Sequence, residues 1–572
     1  MFPRYLTPAL SALLLVLSAC TEAPPPEQAS AEPDESASSA SAVSLGVSGI
    51  TEASYRRHVV TLSSDEFGGR GPGTPGEELT VKYLVTAFKD IGLAPGNGDS
   101  YTQDVPLVSV EVTNKPDLTI SDGAGNVMTL GFKTEQVLAT RRQTGGAQLQ
   151  DSELVFVGYG INAPERDWND YEGIDVTGKT VVILVNDPGY ATQDPNLFNG
   201  NAMTYYGRWD YKYDEAAQQG AAGAIIIHDT KPAAYPWATV QNSWTGPKFD
   251  VVRPDQGMSL AKVESWITQE NAVALFAMAG MDLRDMYQQA QTPGFTAKPM
   301  GLSASAELET EIHEVTSRNV AALLPGSEAP DEVFIYMAHW DHLGMDPALE
   351  GDGIFNGAYD NATGTAGLLE LAAAFSSLPE KPRRSILFLA VTAEEQGLLG
   401  SLHYASNPIF PLTKTVAGLN MDGLSYWGVT RDVVVAGFGF SELDGILKAE
   451  ADKRQRVLVP DPAPEKGYYF RSDHFELAKL GVPMLYPNAG HDSLEHGLEW
   501  GMAKAAEFVA NDYHRVSDEY SEDWDVGGAL EDLALYFMTG KSIASGDSWP
   551  NWNEGTEFKA IRDVQRAAAA GE

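Results

Sequence analysis

Val333-Phe334-Ile335-Tyr336-Met337-Ala338-His339-Trp340-Asp341-His342 decides how the chain is read: a largely apolar run that ends in two imidazoles around a carboxylate. A run without polar alternation is what a strand buried on both faces requires. The same grammar recurs downstream. Residues 385–391 are apolar and lead into Thr392-Ala393-Glu394-Glu395-Gln396-Gly397, and 416–420 lead into Met421-Asp422-Gly423. Further short runs at 433–436 and 482–486 read as strands, and 365–375 and 475–480 read as helices between them. This alternation predicts an α/β fold: a mixed, mostly parallel central sheet flanked by helices. Such sheets carry ligands beyond the carboxyl ends of their strands.

Two more polar stretches belong to the same constellation. Gly357-Ala358-Tyr359-Asp360-Asn361-Ala362-Thr363-Gly364 is a turn that opens a helix, and Tyr513-His514-Arg515-Val516-Ser517-Asp518-Glu519 comes late in the chain. A single histidine at a strand end is usually a satisfied structural residue, and one adjacent Glu pair is usually a solvated face. Several such features at successive strand ends are a different matter. Carboxylates and imidazoles crowded on one sheet edge would repel one another or lose their charge, and burying them unpaired is costly. Divalent cations supply the compensating charge. Imidazole with carboxylate and no thiolate suits zinc, with cobalt or manganese as alternatives.

Outward from this core the chain changes character. At 572 residues, with 43% hydrophobic and 10% aromatic content, it is long enough for two or three folded units. A net charge of −40, from 39 basic and 79 acidic side chains, repels phosphate backbones, so no nucleic-acid partner is expected. Residues 1–20 read as a signal peptide: Arg4, an apolar run over 9–17, then Leu17-Ser18-Ala19-Cys20. That ending resembles the bacterial lipobox, which implies cleavage before Cys20, acylation of Cys20 and a lipid anchor in the cell envelope. Thr21 rather than Asp after the cysteine favours the outer membrane. Cys20 is the single cysteine, so neither a disulfide nor a thiolate metal site can form.

Residues 21–48, rich in Ala, Ser, Pro and Glu, predict a disordered tether. Apolar spacing over 77–91 predicts a helix stopped by Gly92, and the glycine-rich segment 68–76 before it reads as structural. Across 111–310 short β runs appear at 154–157, 181–185 and 224–227, with a short helix over 214–219. Tyr205, Tyr206, Trp209, Tyr211 and Tyr213 crowd this segment, either as packing residues or as the wall of a substrate groove.

The strand-end motifs resemble the co-catalytic di-zinc exopeptidases, the family that includes bacterial leucyl aminopeptidases and glutamate carboxypeptidase. The likeness covers most of residues 50–540. It implies a peptidase domain built from 49–110 and 311–545, a protease-associated insert at 111–310 and a C-terminal extension at 546–572. Carried over by position, it implies that His339 and Asp422 bind one zinc, that Glu395 and His514 bind the other, and that Asp360 bridges both. Glu394 would be the general base, and Asp341 would hydrogen-bond the far nitrogen of His339. His491 and His496 are rivals to His514. His474, Tyr468 and Arg471 lie in a segment that resembles one close to the zincs, where His474 or a tyrosine could donate to an oxyanion; equally, Asp473 and His474 could cap the following helix. His342, His228, His313, His403 and His58 have no partner legible in the sequence.

The expected activity is removal of N-terminal residues from peptides. A carboxypeptidase on the same metal core, gripping a terminal carboxylate with Arg471, Arg208 or Lys212, is the first alternative. A non-catalytic surface receptor is the second.

Overall fold

The computed structural model describes residues 46–570. The expected lipidated Cys20 and most of the expected tether lie outside these residues. Positions 46–48 are helical, and a side chain added at Gly46 would run into Phe537, so the folded part takes in the last residues of the expected tether.

The continuous apolar runs form the centre of a mixed sheet. The strand Ala329–His339 lies between Arg384–Val391 and Thr415–Asn420, parallel to both, and Met484–Asn488 extends the parallel set beyond Thr415–Asn420. Antiparallel neighbours close the two sides: Lys298–Leu324 on Arg384–Val391, and Asp432–Ala436 on Met484–Asn488. The two-sided burial has a period of two. Ile386, Phe388 and Ala390 face one apolar core with Phe334, Tyr336 and Ala338, while Leu387, Leu389 and Val391 face another with Val333, Ile335 and Met337. Helices Gly364–Ser376 and Gly527–Ser545 cover the first face. Tyr404 of Leu399–Ser406 and Leu477 of His474–Lys479 fill the second.

The N-terminal part is tied to this sheet by its glycine-rich segment. The helix Pro75–Ile91 ends where Gly92 turns left-handed at φ 90°. Before it, Arg70 is 1% exposed and donates to four carbonyls: Leu62 O, Trp340 O, Asn356 O and Gly357 O, at 2.6–2.8 Å. One buried guanidinium therefore pins the end of the Ala329–His339 strand to the loop that leads to Asp360. Burial lowers its pKa to about 10, against the pull of Asp518, Asp341, Asp360 and Glu395.

Residues 118–308 supply apolar cores of their own, around the strands Gly146–Phe156, Thr180–Leu184, Gly223–Ile227 and Val263–Ile267. The strand Lys298–Leu324 runs through both regions. Its first part pairs with Gly146–Phe156, its middle with Thr102–Val112 and its end with Arg384–Val391. The helix expected over 214–219 is longer, Trp209–Gln218, with Tyr211 and Tyr213 buried. The C-terminal stretch returns to the sheet: Trp552 and Phe558 are buried, and Arg562 of the helix Lys559–Ala570 donates to Thr415 O and Val416 O. Among the described residues no helix is long and apolar enough to cross a membrane.

Candidate active site

Because the central strands are parallel, their carboxyl ends open on one edge, and the polar residues that follow them converge there. His339 is the last residue of its strand. Glu394 and Glu395 follow Val391 through Ala393, which is held at φ 53°, a left-handed conformation that aims the pair at the site. Asp422 follows Asn420. Asp360 comes from the turn before the helix Gly364–Ser376, with its own N–H and that of Tyr359 held by the Asp518 carboxylate at 3.0 and 2.8 Å. His514 arrives from a loop and is itself left-handed at φ 57°.

These side chains form two clusters around a single carboxylate. Asp360 Oδ1 lies 3.3 Å from His339 Nε2, which is 3.1 Å from Asp422 Oδ1. Asp360 Oδ2 lies 3.3 Å from His514 Nε2, which is 2.9 Å from Glu395 Oε2. Among the described residues, two groups of three have ligand atoms close enough to hold a metal ion: His339, Glu394 and Asp422, and His342, Asp360 and Glu395. The second group names His342 where sequence reasoning has His514. The distances put both imidazoles against Glu395, with His342 Nδ1 2.6 Å from Oε1.

The surroundings hold these groups in place. Asp422 Oδ2 accepts from Ser472 Oγ at 2.7 Å and Tyr486 Oη at 3.3 Å. Asn420 Nδ2 donates to Ser472 Oγ at 2.7 Å and lies 3.5 Å from His474 Nδ1, so His474 backs the Asp422 side of the site. The His474 ring is fully buried between Tyr469 and Tyr486, and burial lowers its pKa to about 3. The capping reading of Asp473 does not hold: its side chain makes no cap to the following helix and accepts from Ser401 Oγ instead.

The expected Asp341–His339 contact is also looser than a hydrogen bond. Asp341 Oδ1 is 3.8 Å from His339 Nδ1, and the nearer acceptor is the Asp341 main-chain carbonyl at 3.2 Å. The carboxylate instead receives the Glu394 N–H at 3.1 Å, which makes it an anchor for the Glu394–Glu395 turn.

Of the remaining candidates, Arg471 is exposed, with its guanidinium 5.5 Å from the centre of the Tyr468 ring. Arg208 pairs with Asp210 at 3.5 Å. Lys212 is fully buried and donates to Tyr159 O, which removes it from any substrate-facing surface. His496 pairs with Glu495 and stacks near Trp500, and neither it nor His491 joins a cluster. Sequence reasoning missed Ser472 and Tyr486, which carry no signature beyond their residue type. It also left His342 unassigned, although that residue stands one position after Asp341 in the strand-end motif.

Electrostatically, the site is short of positive charge. Burial raises Glu394 well above the usual carboxyl range and lifts Asp341 to about 7 and Asp473 to about 8. Burial and Asp360 would raise Glu395 too, but His342 and His514 hold it down at about 2. Burial likewise works against charge on His514, yet Asp360 and Glu395 raise it to about 10. Glu395 Oε1, Asp341 Oδ2 and both ring nitrogens of His342 have no hydrogen-bond partner among the described residues. A donor set of imidazoles and carboxylates with orphaned buried atoms and no sulfur fits divalent cations of the zinc class.

Known proteins resemble parts of this chain. The chain is 35% identical over 406 residues to the mouse (Mus musculus) protein named aminopeptidase NAALADL1, a match that takes in 61% of this chain and 50% of that protein. It is 37% identical over 114 residues to a probable zinc metalloprotease of Pyrenophora teres f. teres, covering 20% of this chain and 24% of the fungal protein. The chain thus spans about half the length of the mouse relative. A solved aminopeptidase from Aneurinibacillus sp. strain AM-1 aligns with a TM-score of 0.47 at 20% identity, over 89% of this chain and 97% of that one. The pattern of Peptidase family M28 matches residues 319–538, the stretch that carries every side chain of both clusters.

Proposed function

We propose that the chain is a metal-dependent exopeptidase, an aminopeptidase that removes N-terminal residues from peptides with the help of two zinc ions. The observation that carries this reading is the shared carboxylate of Asp360, with one oxygen beside the His339–Asp422 pair and the other beside the His514–Glu395 pair. His339 and Asp422 would hold one cation, Glu395 and His514 the other, and Asp360 would touch both. Bound there, the cations would polarise a scissile carbonyl and make water nucleophilic near neutral pH.

The chain's own residues do the rest. Glu394, raised in proton affinity by its burial, takes a proton from the attacking water and passes it to the leaving amine. Asp341 holds the Glu394 main chain, and Ser472 and Tyr486 fix Asp422 by its outer oxygen. Glu394→Gln keeps the shape and the metal content while removing the base, so turnover should fall by about 10²–10⁴-fold with zinc unchanged. Equal turnover in the two forms would remove Glu394 from this role.

The alternative on the same core is a carboxypeptidase, for which Arg471 is the exposed cation next to Ser472. Digestion of a free peptide and its N-acetylated copy, with and without chelator, separates the two. The aminopeptidase spares the blocked peptide, and the carboxypeptidase trims both from the other end. Activity that survives chelation would overturn both, whereas digestion of neither peptide together with bound zinc near zero would favour a binding protein. We also read 111–310 as a protease-associated insert and Cys20 as a lipid-bearing residue that tethers the enzyme to the outer membrane. Cys20→Ala should then move the protein from the membrane fraction to the soluble one.

A further inference from the structure

His342 stands outside the mechanism above, yet it is wholly buried against one of its residues. Its Nδ1 is 2.6 Å from Glu395 Oε1, and its ring packs on Gly357, where an added Cβ would come within 2.5 Å of the imidazole. Glu395 therefore has an imidazole on each oxygen: His514 Nε2 at 2.9 Å from Oε2, and His342 Nδ1 on Oε1. The two rings meet nearly edge to face, 5.9 Å apart.

They are not equivalent. His514 Nε2 also reaches Asp360 at 3.3 Å, so it faces the space between the two carboxylates where a cation would sit. His342 Nε2 has no partner among the described residues. An imidazole that ligates a metal almost always donates its other nitrogen to a carboxylate or carbonyl, as His339 can through Nδ1 to the Asp341 carbonyl at 3.2 Å. His342 lacks that support. It is better placed to donate than to ligate.

We propose that His342 is a positioning residue for the second cation: a small turn of its ring from the present 2.6 Å contact, which is not aligned as a hydrogen bond, points Nδ1–H at Glu395 Oε1 and turns Oε2 towards Asp360 and His514. This rests on the two-cation reading of the site. Outer partners of this kind ordinarily change metal affinity by about 10–100-fold. The imidazole also fills buried space beside Gly357, so removing it tests packing as well as donation, and the variants must separate the two.

Full-length wild type, His342→Ala, His342→Phe and His342→Asn are equilibrated with zinc buffered over a series of free concentrations. Bound zinc per chain is then counted by elemental mass spectrometry. Wild type should bind two. His342→Phe, which keeps the bulk without a donor, should bind the first zinc as wild type does and the second about 10–100-fold more weakly, and His342→Ala should behave alike. His342→Asn, whose amide nitrogen stands near the position of Nδ1, should recover most of the loss. Should the alanine form fail to fold, the Phe and Asn forms decide alone, with melting of the zinc-free proteins reporting their integrity. Two zincs bound with unchanged affinity in His342→Phe would overturn the role of His342 and leave the two-cation reading intact. Equal weakness in the Phe and Asn forms would also overturn it, since the imidazole would then be a ligand in its own right. Wild type binding fewer than two would sink both.

Discussion

Glu395 and His514 make their mutual attraction measurable through protons. In the absence of metal His514 titrates at about 10, well above an unfolded imidazole near 6.5. A group whose folded pKa is raised stabilises the fold fully below the unfolded value and ceases to do so as pH climbs through the folded one. Asp341 and Asp473, lifted by burial to about 7 and about 8, act with the same sign because their carboxyls are kept protonated when folded. Lys212, lowered by burial to about 7, acts in the opposite direction, but it lies in the 118–308 region away from the clusters and weighs equally on the metal-free and metal-loaded forms. The difference in melting temperature between zinc-loaded and chelated protein should therefore widen from pH 6.5 to pH 9, as protons cease to compete for the ligands. Calorimetric scans across that range check it, and a gap that narrows would contradict the assignment of these groups as cation ligands. The residues in this balance differ in how plainly the sequence displays them. His339, Glu395 and Asp422 each follow a long apolar run, so their position on the sheet edge is legible. His342 follows the same run, but what matters about it is a contact with Glu395 that no spacing reveals.

At the scale of elements, the turn before the helix Gly364–Ser376 couples the site to the fold. Asn361 Oδ1 accepts from Gly364 N at 2.9 Å and Gly423 N at 3.0 Å, and its Nδ2 donates to Met421 O at 3.0 Å. One amide thus joins the Asp360 turn to the Asp422 turn. A Cβ at Gly364 would strike Asn361 Oδ1 and come within 2.6 Å of Met421 O. Gly364→Ala should cost about 1–3 kcal/mol of stability, as overpacking does, and weaken zinc binding by moving Asp360 and Asp422 apart. Gly445, in the helix Leu443–Lys453, meets nothing within 4 Å, so Gly445→Ala should stabilise by about 0.4–1 kcal/mol and leave zinc untouched. Denaturant titration with zinc analysis compares the two, and equal effects would detach the Asn361 link from metal binding.

Elements buried on all sides were the easiest to place from sequence and the hardest to type. The strands appear as unbroken apolar runs, and Arg384–Val391 is buried at every position. Gly527–Ser545 is also buried over most of its length, which blurs the helical stripe that would have announced it. Lys298–Leu324 continues for 27 residues past Pro299 and Gly301, alternating in its first part and buried throughout 319–322, because its partners change from one part of the sheet system to the other while the strand continues.

For the whole molecule, the same continuity explains why composition places the change of character near 110 and 310 although the chain does not break there: both positions fall within strands, Thr102–Val112 and Lys298–Leu324. What composition could not reveal is where the 118–308 region meets the peptidase sheet. Met203 N donates to Pro464 O at 3.0 Å, and the Tyr205 ring packs edge-on against Phe475 at 5.1 Å and tilted against Phe470 at 6.3 Å. Phe470 and Phe475 flank Arg471–His474, the segment whose Ser472 holds Asp422 and whose His474 backs it. Tyr205 therefore presses on the far side of a loop that fixes a proposed ligand, and this favours a packing role for it over that of a groove wall. Ring pairs of this kind contribute about 0.5–1.5 kcal/mol each beyond their buried area. If about 1.4 kcal/mol of that goes into holding the loop, Tyr205→Ala should lower kcat/KM about tenfold, while Tyr205→Phe, which retains the ring, should stay near wild type. Asp422 keeps its neighbour His339 in both variants, so zinc content should remain that of wild type. A tenfold loss accompanied by a missing zinc would instead place the Tyr205 contact on the ligands themselves, and wild-type rates in Tyr205→Ala would mean that the two regions touch without consequence for the site.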